Sequence, residues 1–191
     1  MFRLTAAAGF VCAVVLVVNT TRRAGFLPET ALTHAIAPLA PLAGLFAITG
    51  CYLLIARTAG RLGLIGFTLN AAGLAGAFAV EYTLHFVFPG LDRATIATLV
   101  SGGTGRAFLV TSVLLLVGVL TFAAAAIRSR ALPGGAVALF AAGMVPGSLR
   151  NVVPEPLYLL GLVVAAAGVA WLAVRLWTAE PSREYGLATA R

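Results

Sequence analysis

Six apolar runs, none of them interrupted by a charged residue, recur along the chain: 4–18, about 35–56, 62–80, 107–127, 131–149 and 157–174. A bilayer is crossed by roughly 20 consecutive apolar residues in a helix, so this spacing predicts an all-α, polytopic integral membrane helix bundle of six transmembrane helices. Residues 1–177 are expected to form that single domain and 178–191 a polar cytoplasmic tail. The charge count excludes a soluble alternative. Only 10% of the residues are charged and 61% are hydrophobic, whereas a soluble domain carries about 25% charged residues.

Arg3 followed by Leu4–Val18 has the layout of a signal peptide, but Asn19-Thr20-Thr21-Arg22-Arg23 offers no small-residue cleavage pattern. An uncleaved first span is expected instead. Pro38 and Pro41 fall at the start of the second run, where proline is tolerated in a first helical turn, and His34 lies at its entrance. Arg57-Thr58-Ala59-Gly60-Arg61 reads as a tight basic turn. Ser101-Gly102-Gly103-Thr104-Gly105 lacks the Gly-Lys-Ser/Thr of a phosphate loop and reads as a flexible linker.

The net charge of +7 arises from thirteen arginines and no lysine against six acids. The arginines stand singly or in pairs at the ends of apolar runs, with no basic stripe interleaved with aromatics, which speaks against a nucleic-acid partner. The bilayer is the expected partner, together with a homo-oligomer or membrane protein partner. In a six-span arrangement Arg3, Arg57, Arg61, Arg128, Arg130, Arg175, Arg183 and Arg191 share one side and Arg22, Arg23, Arg93, Arg106 and Arg150 the other. The excess predicts both termini in the cytoplasm. Arginine used alone beside abundant Ala, Gly, Leu and Val fits a GC-rich bacterial genome and hence a bacterial cytoplasmic membrane. Cys12 and Cys51 lie in separate apolar runs without metal-ligand spacing, so they read as small buried hydrophobes, and neither a metal nor a cofactor is expected.

Gly66, Asn70, Gly73, Ala77, Glu81 and His85 follow at steps of three and four and share one helix face. Small residues on such a face let a second helix approach, and an ionisable group within a span ordinarily faces protein or water. Gly66, Gly73 and Ala77 are therefore expected at a helix contact, and Glu81 with His85 are the candidate catalytic residues. Gly134, Ala138, Ala142, Pro146 and Arg150, each four apart, read as a counterpart stripe. Docking the two is expected to pair Glu81 with Arg150, or with Arg106, as an ion-pair or anion-binding layer near the outer surface.

Arg57 through Asn70 (Arg-x-x-Gly-Arg-Leu-Gly-Leu-Ile-Gly-Phe-x-Leu-Asn) and Val153-Pro-Glu-Pro-Leu-Tyr-Leu-Leu-Gly-Leu resemble segments of uncharacterised small multi-pass membrane proteins of actinobacterial type. The resemblance implies architecture and carries no named activity. Three function classes follow from the residues: a non-catalytic accessory or scaffold protein, which needs only good packing and is favoured; a small-solute or proton-linked transporter relaying through Glu81 and His85; and a membrane-embedded enzyme acting on a lipid or isoprenoid with Glu81 as acid or base. A cavity between the outer ends of the spans that reaches Glu81 would favour chemistry or transport over the scaffold.

Overall fold

The computed structural model describes residues 1–150 and 152–179. The chain is all-α, with no strand among the described residues. Helix α1 covers Phe2–Arg23, α2 Ala31–Ile36 and α3 Leu39–Tyr82, which runs on through a π-turn (Thr83–Val87) and a 3-10 turn (Phe88–Gly90). Then come α4 (Arg93–Ser101), α5 (Gly103–Ser129), α6 (Gly134–Ser148) and α7 (Glu155–Trp177). Four helical stretches are long and apolar enough to cross a membrane: Phe2–Arg23, Ala31–Gly90, Gly103–Ser129 and Glu155–Trp177. Beyond Ala179, the expected polar tail lies outside the described residues.

The 44 residues of α3 are not one rod. Gly60 has φ 55° and ψ −154°, a conformation open to glycine and rarely to other residues. The chain reverses there, so residues 39–59 and 61–82 form two limbs of a helical hairpin. Tyr52 stacks on Phe67 with ring centroids 4.4 Å apart, and Leu74 lies against Gly44. The basic turn read from the sequence is this reversal. Helix α6, with 15 residues, is about 22 Å long at 1.5 Å per residue, short of the roughly 30 Å hydrocarbon layer. The linker expected around Ser101–Gly105 is instead the junction of two helices, α4 and α5. Asp92 caps α4 by accepting from the Thr95 backbone N–H (3.0 Å) and hydroxyl (2.6 Å), and those bonds hold its carboxyl below the usual carboxylate range.

The main helices close a ring. The second limb of α3 packs on α5, α5 on α6, α6 on α7, α7 on α1, and α1 back on α3. Neighbours are antiparallel: Arg3 lies over the Trp177 ring at 6.0 Å, Gly135 faces Trp171, and Gly161 faces Pro146. Exposed apolar residues such as Leu109, Val113, Val117 and Leu120 line the outside of α5, the pattern of a lipid-facing surface.

Backbone-to-backbone approach holds the ring together. A Cβ on Gly66 would stand 2.5 Å from the Phe122 backbone nitrogen, and one on Gly73 2.5 Å from the Leu115 Cα. Both glycines thus sit on α5, while Ala77 is half-buried against the core. The stripe expected on α6 is a correction. Gly134, Ala138 and Ala142 are exposed, and the contact is made by Ala136, Val137, Phe140, Gly143 and Met144, with Gly143 against the Ala165 backbone. Strict steps of four advance about 400°, so a stripe of fours drifts some 40° per step around the helix and leaves the packing face. The buried set alternates threes and fours and stays on it.

Replacing Gly73 with leucine should lower thermal stability in detergent by about 1–3 kcal/mol or more, the cost of overpacking a tight contact. Gly134→Leu, where nothing lies within 4 Å of the added Cβ, should stay within about 0.5 kcal/mol of the parent. Equal melting shifts for the two variants would contradict the assignment of packing faces.

Candidate functional site

Helix α1 carries the site because it does not stop where its apolar run does. It continues past Val18 to Arg23, and the extra turn swings Arg22 inward, where it is only 4% exposed. Buried charge is costly without partners, and the partners here are two imidazoles. Arg22 Nη1 lies 3.4 Å from His34 Nδ1 and Nη2 lies 3.3 Å from His85 Nε2. The two rings meet edge to face, with His34 Nδ1 2.8 Å from His85 Nδ1.

Local structure brings each of these groups to the same depth. His34 sits on α2, which begins with a capping box of Thr30 and Thr33. His85 lies in the π-turn that continues α3, a wide turn of the kind found often at functional sites. Glu81, one turn earlier, holds His85 Nε2 at 3.2 Å through Oε2 and Arg23 Nη2 at 3.8 Å through Oε1. Arg23 also lies over the Tyr158 ring, 5.5 Å from its centroid, which ties α7 to the layer by a cation–π contact.

Glu81 therefore pairs with Arg23 and His85, a second correction. Arg150 follows the end of α6 rather than extending its stripe, and it is exposed, as is Arg106 near the start of α5. Arg150 adds only longer-range charge to the neighbourhood of Glu81, Tyr158 and Arg23. Arg22 and Arg23 escape sequence reading because two arginines after an apolar run look like orientation flanks. The available signal is the spacing of Asn19, Arg22 and Arg23 on a helix that continues.

Beneath this layer the ring surrounds a partly open cavity of about 130 Å³. Arg23, Glu81, Tyr158 and Asn19 stand at its polar end, and Cys12, Cys51, Leu172 and Leu176 are among the residues along its apolar length. Asn19 is 8% exposed and donates to the Ala37 carbonyl at 3.3 Å, while its Oδ1 has no protein partner. A buried acceptor without a donor is rare and costly. Asn19 thus lines the cavity and carries a buried acceptor that no protein donor meets. Among the described residues no group of three or more His, Cys, Asp or Glu is placed to hold a metal ion. Arg22 and Arg23 make the layer cationic.

The chain matches no protein-family model, no curated protein and no solved structure. The site is therefore read from its own geometry.

Glu81→Gln and Arg23→Gln should each destabilise by about 1–3 kcal/mol, between the limits for exposed and buried pairs, since the side chains are 22% and 15% exposed. The double variant should lose less than the sum. A double-mutant cycle on thermal or chemical unfolding in detergent measures the coupling; additive losses would remove the pair as a contributor, and coupling of Glu81 to Arg150 alone would restore the other pairing.

Proposed function

We propose that the chain is a multi-pass membrane protein that takes one apolar chain of a lipid or isoprenoid into its central cavity and does acid–base work on the head group at Glu81. The observation that carries this reading is the continuity of the cavity, polar at Glu81, Arg23, Tyr158 and Asn19 and apolar over the rest of its length. Ligand sites commonly combine an apolar body with a few placed polar groups. An accessory or scaffold role needs only a solid interior, and the cavity weighs against it. Arg23 would favour a negative charge beside a hydroxyl on the head group. Glu81, held between Arg23 and His85, would exchange a proton with that hydroxyl.

The proposed setting is a bacterial cytoplasmic membrane crossed six times, with α6 as a short span shielded by α5 and α7. Both termini are then cytoplasmic, on the arginine asymmetry. The antiparallel order of the limbs supports this arrangement, since Arg3 and Trp177 lie at the end opposite to Glu81. A reporter fused after Arg191 should be active only in the cytoplasm; activity outside the membrane would invert the topology and place Glu81 on the inner side.

Gly44→Leu tests the ligand. A Cβ there stands 3.5 Å from Cys12 Sγ and Leu74 Cδ2, an ordinary contact, and Gly44 lines the cavity. The added side chain should fill the space without unfolding the protein, because leucine also favours helix over glycine by about 1 kcal/mol. Native mass spectrometry of the parent from mild detergent should show a co-purifying amphiphile, reduced at least tenfold in Gly44→Leu. Equal retention by the variant, or a parent that carries no amphiphile, would overturn the reading.

A further inference from the structure

We infer that His34 and His85 form a two-imidazole proton relay between the outer face of the protein and the Glu81 carboxyl at the cavity. The contacts leave few ways to place the hydrogens. Arginine only donates, and a neutral imidazole has one donor and one acceptor nitrogen. The 2.8 Å contact between the two Nδ1 atoms requires that one carry the proton and the other accept it.

Two arrangements with neutral rings satisfy the chain from Glu81 to His34. In one, Glu81 is a carboxylate accepting from His85 Nε2–H, His85 Nδ1 accepts from His34 Nδ1–H, and His34 Nε2 is a free acceptor. In the other, Glu81 is a carboxylic acid donating to His85 Nε2, His85 Nδ1–H donates to His34 Nδ1, and His34 Nε2 carries a hydrogen. Passage from the first to the second takes up one proton at His34 Nε2. His34 gives its Nδ1 proton to His85 Nδ1, and His85 gives its Nε2 proton to Glu81 Oε2. One proton enters, one reaches Glu81, and neither ring ends charged. In the second arrangement the two ring nitrogens without protons, His34 Nδ1 and His85 Nε2, are the atoms that Arg22 reaches with Nη1 and Nη2 at 3.4 and 3.3 Å. Arg22 is thus a positioning residue that holds the two rings together, sharing lone pairs that in the second arrangement already accept from His85 Nδ1–H and the Glu81 hydroxyl.

The entrance and exit are both in place. His34 is partly exposed on α2, a helix with no buried residue, and Glu81 lines the cavity. The charged and titratable groups around the relay are Arg22 and Arg23 from α1, Glu29 from the connection to α2, Arg150 after α6, and Tyr158 from α7. The use of the delivered proton on a head group rests on the amphiphile reading. The transfer itself does not, and it is measured on protein without added amphiphile.

The chain contains only two histidines, so histidine-specific 15N labelling in lipid nanodiscs reports both rings without overlap. A scalar coupling between the two Nδ1 nuclei is expected. Exchange spectroscopy at fixed pH should show the two rings changing tautomer together: His85 between Nε2–H and Nδ1–H, and His34 between Nδ1–H and Nε2–H. In Glu81→Gln the concerted exchange should vanish. In His34→Phe, Glu81 should still titrate, with proton exchange slowed at least tenfold. Absence of the coupling, or exchange of tautomers in one ring without the other, would each overturn the relay. A working relay in protein that captures no amphiphile would overturn the ligand reading alone.

Discussion

The polar layer depends on where a single buried cation is held. Arg22 is 4% exposed, and the desolvation of a guanidinium must be offset by groups that accept its hydrogen bonds. Two imidazoles from distant parts of the chain meet its terminal nitrogens, His34 on α2 and His85 on the π-turn after α3, while its Nε is buried without a partner. Their meeting fixes the depth of Glu81, one turn before His85, and Glu81 in turn engages Arg23, which covers Tyr158 on α7. Four segments, α1, α2, α3 with its π-turn and α7, are thereby joined at one level.

Below that level the stabilising chemistry changes. Lipid tails give little hydrophobic driving force for helix association, so contacts rely on close packing of small residues. Gly66 and Gly73 against α5, and Gly143 against α7, bring backbones together. Every helix of the ring is tied to its neighbours, while α3 and α7 touch little across the middle. A ring of pairwise contacts need not fill its centre, and the cavity lies there. Tight pairs around an open middle combine stability with space for a ligand, because close pair contacts do not require a central core.

The polar end of the cavity differs from an ordinary ion-pair layer in its unmet hydrogen-bonding capacity. Glu81 has partners on both oxygens, yet Asn19 Oδ1 has none. A second buried amide, Asn70, has neither side-chain atom paired, but it is packed between α3 and α5 opposite Gly118, away from the cavity. Of the two, only Asn19 lines the cavity.

The sequence by itself determined the helical class, the apolar runs, the reversal at Gly60 and the Gly66–Gly73 packing face, because length, hydrophobic pattern and small-residue spacing are local properties of a chain. Glu81 and His85 were legible for the same reason, being polar residues on one face of an apolar segment. The partners of Glu81 were not. Whether α1 stopped at Val18 or ran on to Arg23, which face α6 turned to α7, and whether His34 reached His85 all depend on how helices far apart in sequence settle against each other. A strict four-residue stripe suggested that Gly134, Ala138 and Ala142 would lead Arg150 to Glu81; the drift of that stripe around α6 turned it outward. Only the tertiary structure decided that Arg22 is buried, that Arg23 takes the carboxylate and that the ring leaves a cavity, since burial and charge pairing are properties of the packed assembly of helices and not of any one of them.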